Sequence, residues 1–445
     1  MSTTLIKDIQ IVNEGKIFVS DVLIRNGRIE KLAPVIDNAD VNCIEVNGHG
    51  LHLFPGVIDD QVHFREPGLT HKADIQSEAR AGVAGGVTSY MEMPNTVPNA
   101  VTQERLEEKY AIGAARSLAN YSFFMGGTND NLEELKKTDK TKVCGIKLFV
   151  GSSTGNMLVD DEKTLESIFE ECDNLIAVHS ESEDIIRKNL ETYKQMFGEN
   201  IPFKAHPAIR SVEACFVSTN KLVKMARRYN TRLHVLHIST AEELALFRND
   251  IPLADKRITA EACVHHLWFD ASDYETLGGL IKCNPAIKES RHKAAILKGL
   301  LDNTVDILAT DHAPHTWEEK QSTYLNCPSG LPLVQHPLQM MLDFYRDGKI
   351  TLEQIADKMS HAPAICFKVQ ERGYIREGYK ADLVIVDLNA KQTVSKENIY
   401  YKCGWSPLEG HTFGASIKST FINGHLAFSD GRFYEDKMGE RLMFE

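Results

Sequence analysis

The sequence predicts an α/β architecture: a (β/α)8 TIM barrel with a small β-sandwich formed by both chain termini. Three observations carry that reading. From Phe54 to about Ala364, short apolar β runs alternate eight times with longer helical patterns, the number and roughly the span of a (β/α)8 barrel. The two ends of the chain share a different texture, with short strands and hairpin signals. No Gly-x-Gly-x-x-Gly follows an early strand, which argues against a doubly wound open sheet. The expected division is a composite β-sandwich from residues 1–54 and 365–445 around a barrel of residues 55–364.

Taken in order, Leu5 to Val12, Ile17 to Ile24, Ile29 to Leu32 and Cys43 to Val46 read as strands. Asn26-Gly27 marks a hairpin, because both residues accept positive φ. The barrel runs are Val57–His63, Val87–Met93, Tyr121–Met125, Gly145–Val150, Leu175–His179, Leu233–His237, Ile258–Glu261 and Val305–Thr310. Amphipathic stretches lie between them, among them Thr102–Leu118, Glu162–Cys172, Ser211–Tyr229 and Ala241–Arg248. Beyond Gly373 the β texture returns in Ala381–Leu388 and in Ile417–Phe428, the latter split by a second hairpin signal, Asn423-Gly424.

Composition narrows the function. The net charge of −12 argues against nucleic acid or an anionic membrane as partner. No apolar run approaches the ~20 residues of a membrane span. The nine cysteines form no Cys-x-x-Cys pair, and the start of the chain lacks a basic segment followed by an apolar one. Both features predict reduced thiols in a cytoplasmic protein without a signal peptide.

The chain turns on Phe54 to Gly68, FPGVIDDQVHFREPG. Strand alternation puts Gln61, His63 and Arg65 on one side, and Pro67-Gly68 ends the run. Functional groups of a (β/α)8 barrel sit at the C-terminal ends of its strands. Four of those ends deliver His63, His179, His237 and Asp311, a ligand set of the types zinc takes. The fourth run carries Lys147; an ammonium cannot bind a cation, but burial lowers the pKa of a lysine. His265-His266 follows the seventh run and reads as structural or as supporting the ligands from behind, whereas His52, His71 and His234 read as non-ligands.

The first of these segments resembles the opening barrel strand of the amidohydrolase superfamily, Asp-x-His-x-His, and Arg-Glu-Pro-Gly after it looks like dihydroorotase. Gly378-Tyr-Lys-Ala-Asp-Leu-Val-Ile-Val386 and Lys402-Cys-Gly-Trp-Ser-Pro-Leu-Glu-Gly410 extend the resemblance over nearly the whole chain. It departs in one place: Gln61 stands where the family has its first His. A Gln offers a metal only a neutral amide oxygen, a weak ligand for zinc. The resemblance implies one or two zinc ions per chain. With two, a carboxylated Lys147 would bridge them, His63, His179, His237 and Asp311 would ligate, and Asp311 would double as the catalytic acid/base. Some dihydroorotases use an Asp in place of the lysine, and Asp160 or Asp161 would be its counterpart.

For substrate, the resemblance implies that Arg65, Asn95 and His315 meet a carboxylate. It implies that Asn284 and the Cys327–Pro332 loop face a pyrimidine ring, with residues 316–332 a candidate lid. The implied reaction interconverts N-carbamoyl-L-aspartate and L-dihydroorotate in pyrimidine synthesis. A hydantoinase, dihydropyrimidinase or allantoinase, acting on uncharged rings, is the enzymatic alternative. The non-enzymatic one is a non-catalytic homologue serving as scaffold, which Gln61 favours. A homodimer and a transcarbamoylase complex are both compatible with the resemblance.

Overall fold

The computed structural model describes residues 3–37, 43–151 and 157–445. Five strands open the chain: β1 (Thr3–Asn13), β2 (Lys16–Arg25), β3 (Arg28–Ala33), β4 (Cys43–Asn47) and β5 (His52–Pro55). The barrel strands follow: β6 (Val57–Val62), β7 (Val87–Glu92), β8 (Asn120–Phe123), β9 (Met125–Gly126), β10 (Ile146–Val150), β11 (Ile176–Ser180), β12 (Leu233–Val235), β13 (Ile258–Cys263) and β14 (Ile307–Ala309). The C-terminal part adds β15 (Leu383–Asp387), β16 (Gln392–Thr393), β17 (Thr412–Phe413), β18 (Ser416–Ile422), β19 (His425–Ser429) and β20 (Arg432–Phe433).

The protein is a (β/α)8 barrel with a terminal β-sandwich domain to which both chain ends contribute. The strands of the two ends form one nine-stranded sheet, ordered β20-β19-β18-β15-β5-β1-β2-β3, with β4 also paired to β1. The ends meet where β5 lies antiparallel to β15, Leu53 opposite Ile385. Asn26 and Gly27 (φ 53° and 80°), and Asn423 and Gly424 (φ 49° and 71°), take the left-handed conformation that tight two-residue hairpins require. Ile6, Ile9, Ile11, Val22, Ile24, Leu383, Ile385 and Phe421 fill the core under this sheet.

Parallel pairing runs β6-β7-β8 and β9 through β14. A hydrogen bond from His63 N to His312 O (2.7 Å) and a Val62–His312 bridge carry the eighth strand back to the first. The inter-strand helices use local signals. Val212–Tyr229, for example, starts on Ser211, whose hydroxyl accepts from Ala214 N, and stops at Asn230 in the left-handed region (φ 55°).

Two expectations are corrected. The third run is not one strand: β8 pairs with β7 and β9 with β10, with Phe124 between them. Ala241–Arg248 is not an amphipathic helix but contains one 3-10 turn, Glu243–Leu246. In that turn the buried Glu243 carboxyl accepts from the hydroxyls of Thr219 (2.8 Å) and Thr240 (2.8 Å). Among the described residues, no helix is long and apolar enough to cross a membrane.

Candidate metal centre and substrate cavity

At the C-terminal ends of the barrel strands lies a cavity of about 180 Å³. Ten residues singled out from the sequence line it: Gln61, His63, Arg65, Asn95, Lys147, His179, His237, Asn284, Asp311 and His315. Phe149, Ala313 and Pro328 to Gly330 complete the wall. Asp160 and Asp161 do not reach it. Asp160 accepts from the Asn129 amide (2.8 Å), and Asp161 caps the helix Glu162–Glu171.

Three of these residues are held in the left-handed backbone region despite carrying side chains: Arg65 (φ 68°), His237 (φ 41°) and Asp311 (φ 47°). Each such residue costs about 1–2 kcal/mol, so the surroundings must fix it. The Glu261 carboxylate accepts from His237 N (2.9 Å). Beside Asp311, Thr310 gives its hydroxyl to Asp59 Oδ2 (2.6 Å) and its N–H to Asp59 Oδ1 (3.2 Å), which ties the last barrel strand to the first.

The imidazoles form two groups. His63 Nδ1 donates to Asn95 Oδ1 (2.8 Å), which turns its Nε2 toward Asp311 Oδ1 at 3.3 Å. His179 Nε2 donates to Glu181 Oε2 (2.9 Å), leaving its Nδ1 against His237 Nε2 at 3.0 Å. Glu181 is buried and also pairs with Arg210. Burial alone would raise its carboxyl, but the Arg210 charge and the His179 contact bring it down to about 2, so it stays ionised. Burial lowers the pKa of His63 and His179, and that of His237 well below the ordinary value, so all three are neutral at pH 7.

Lys147, fully buried, stands between the two groups in strand order, its Nζ 4.6 Å from the centre of the Phe149 ring. Burial pushes it down to about 7, against the opposing charge of Asp311. An appreciable fraction is therefore free amine at neutral pH.

These groups fit a zinc ion. With Zn–N and Zn–O bonds of about 2.0–2.1 Å, a tetrahedral site has ligand-to-ligand edges of about 3.4 Å. The His63–Asp311 separation of 3.3 Å and the His179–His237 separation of 3.0 Å are close to such edges. Each group also has the outer hydrogen bond that orients a ligating imidazole, from Asn95 in one case and Glu181 in the other.

On the other side of the cavity, Arg65 is buried and donates from Nε to Pro314 O (3.1 Å), with its terminal nitrogen 3.1 Å from His315 Nε2. Among the described residues it makes no ion pair. Asp311, Glu92 and Glu319 act on it electrostatically without forming an ion pair, while Glu66 is paired with Arg116 and Asp59 is held by Thr310. Burial lowers Arg65 to about 10, so it remains charged at neutral pH. His315 is fixed by Lys72 at Nδ1 (3.0 Å) and by the Trp405 indole, which donates to its carbonyl (2.8 Å).

Sequence reasoning missed Glu181, Arg210, Glu261 and Cys263. Glu181 could have been found, because it lies two residues past His179 and so on the same strand face. His265 and His266 are buried beside Cys263, and His234 lies inside the barrel against Asp60 (3.2 Å) and Glu261 (3.6 Å).

Fold and cavity together define a barrel whose polar centre is assembled from strand ends. The comparisons agree: the profile of the Amidohydrolase family matches residues 52–427, and the chain belongs to that family. It is 30% identical over 416 residues to a dihydroorotase of Methanosarcina acetivorans, covering 91% of this chain and 88% of the relative. It is 29% identical over 436 residues to an allantoinase of Bacillus velezensis, covering 96% and 94%. The fold is that of the L-hydantoinase from Arthrobacter aurescens, with a TM-score of 0.94 over 100% of both chains at 23% identity. Within its family the chain stands with the cyclic amidohydrolases.

Proposed function

We propose that the protein is a dihydroorotase, interconverting N-carbamoyl-L-aspartate and L-dihydroorotate. The observation that carries this reading is Arg65, a buried guanidinium at the cavity with no carboxylate paired to it among the described residues. A buried cation without a partner is costly, and a substrate carboxylate would offset that cost with a forked, charge-assisted contact. A ring without a carboxylate gives no such return.

Zinc is the metal that suits the imidazole and carboxylate donors. His63 and Asp311 would hold it on one side, His179 and His237 on the other, with Lys147 as a carbamate between them if two ions bind. When bound, zinc supplies Lewis acidity, polarising an amide carbonyl and bringing the pKa of water near ~7. The side chains do the rest. Arg65 and His315 hold the substrate carboxylate and so orient the ring. Asp311 takes a proton from the attacking water and delivers it to the departing ring nitrogen. In the synthetic direction it takes the proton from the carbamoyl nitrogen as the ring closes.

Arg65→Ala tests the reading. Loss of a charge-assisted forked contact, about 3–4 kcal/mol, should lower kcat/KM for L-dihydroorotate about 10²–10³-fold. Turnover of dihydrouracil, the same ring without the carboxylate, should stay within a few-fold. Equal effects on both substrates would reject the proposal and favour hydrolysis of neutral rings, as the allantoinase and hydantoinase names of its relatives suggest.

A further inference from the structure

His315 either competes with a ligand for Arg65 or joins Arg65 in binding it, and the position of one ring proton decides which. Its Nε2 lies 3.1 Å from Arg65 Nη2 and 3.1 Å from the carbonyl oxygen of Ser329. The guanidinium only donates and the carbonyl only accepts, so this nitrogen serves one of them at a time. With Nε2 bare, the imidazole accepts from Arg65 and turns a lone pair toward any anion in the cavity. With the proton on Nε2, the ring donates to Ser329 O, and the N–H of Arg65 Nη2 on that side is left for a ligand.

The other ring nitrogen makes the choice. Lys72 follows the first barrel strand in the chain, stands outside the cavity wall, and brings its Nζ to 3.0 Å from His315 Nδ1. The same Nζ is paired with Glu319 Oε1 at 2.8 Å. An ammonium has three donors and no acceptor, so Nδ1 must accept and the ring proton sits on Nε2. Burial and the nearby charge of Arg65 hold His315 well below the ordinary imidazole pKa, so the ring carries only that one proton. The rival for Nδ1 is Glu319 Oε2, which at 3.7 Å is outside hydrogen-bond range. That oxygen accepts instead from Thr316 N (3.0 Å), closing the cap of the helix Trp317–Lys320.

We propose that Lys72 is a positioning residue that sets substrate specificity: it fixes the His315 proton on Nε2, so that His315 and Arg65 present two N–H groups, 3.1 Å apart, to one oxygen of a substrate carboxylate. Donors at that spacing both reach a shared oxygen at ordinary hydrogen-bond length, and an anionic acceptor strengthens both contacts. The carboxylate rests on the dihydroorotase reading above; the tautomer rests on the contacts of His315 alone. Without Lys72, the Glu319 carboxylate is left beside Nδ1 and draws the proton to that side. The bare Nε2 then accepts from Arg65 and repels the carboxylate that the pair would otherwise hold. Lys72 acts through His315 and touches no substrate.

The test uses full-length, zinc-loaded protein labelled with ¹⁵N-histidine at neutral pH. Long-range ¹H–¹⁵N couplings report the tautomer, and the His315 ring is assigned by its loss in His315→Asn. Wild type should show a protonated Nε2 and a bare Nδ1. Lys72→Met should show the reverse, and Lys72→Arg, which keeps a donor without an acceptor, the wild-type pattern. In steady-state assays Lys72→Met should raise KM for L-dihydroorotate about 10–100-fold, the loss of one hydrogen bond to a charged group. Its kcat, and its turnover of dihydrouracil, should stay within a few-fold, and Lys72→Arg should recover KM. A proton on Nδ1 in wild type would overturn the proposal, and that reading needs no folded Lys72 variant. A Lys72→Met protein with an unchanged tautomer or an unchanged KM would overturn it as well, with the dihydroorotase reading left standing. Wild type with Nε2 protonated but no preference for L-dihydroorotate over dihydrouracil would instead reject the substrate reading, and with it the role in specificity.

Discussion

Replacing Lys147 with methionine should stabilise the metal-free, bicarbonate-free protein, the reverse of most core substitutions. Burial takes the ammonium from the ordinary 10.5 to about 7. At 1.36 kcal/mol per unit of pH, the burden on the folded state is on the order of 5 kcal/mol. The sign follows from proton counting. The unfolded chain keeps the lysine proton up to about 10.5, whereas the folded chain gives it up near 7. Between those values the unfolded state binds more protons, so wild-type stability rises with pH. The burden is full near pH 6, about 2 kcal/mol near pH 9, and gone above the unfolded value. Methionine, similar in length and uncharged, carries none of it at any pH. Two losses trim the gain: Asp311 loses a neighbouring cation, and the cation contact with the Phe149 ring (4.6 Å) disappears. Urea unfolding of chelated, degassed protein across this range measures the effect. The variant should unfold at higher urea near pH 6, and the two curves should draw together toward pH 9. A variant less stable than wild type near pH 6, or a gap that does not narrow, would refute a desolvated lysine at this position.

Further expectations follow from the same geometry. Glu181→Gln removes the charge that orients His179 and breaks the ion pair with Arg210; chelator competition should register a 10–100-fold loss of metal affinity. A carbamate forms only on neutral amine, so labelling of Lys147 with ¹³C-bicarbonate should climb as pH rises through about 7 and fall away below it. Labelling that is flat across that point would place the reactive amine elsewhere.

Much of this was legible in the sequence because barrel strands announce their ends. An apolar run that stops at His179, His237 or Asp311 puts a polar donor where the strand leaves the core. The Asn-Gly hairpins were legible for a local reason, since few residues other than Asn and Gly accept positive φ. Glu181, Glu261 and Cys263 were harder. Barrel strands are buried on both faces, so the inward residues do not stand out by alternation, and only three-dimensional contact shows Cys263 facing Gln61. The division of the third strand at Phe124 and the short turn at Glu243–Leu246 depend on tertiary partners that no local pattern encodes. Asn95, expected to meet the substrate, lines the cavity and also holds His63, a pairing across 32 positions of sequence.

The most direct test of the account is the ratio of kcat/KM for L-dihydroorotate to that for dihydrouracil, measured on wild-type protein supplied with zinc and bicarbonate. The buried Arg65, which makes no ion pair among the described residues, predicts a preference for the carboxylated ring of about two orders of magnitude or more. Equal or better turnover of dihydrouracil would contradict the assignment of Arg65 to a substrate carboxylate. No turnover of either ring would contradict catalysis itself.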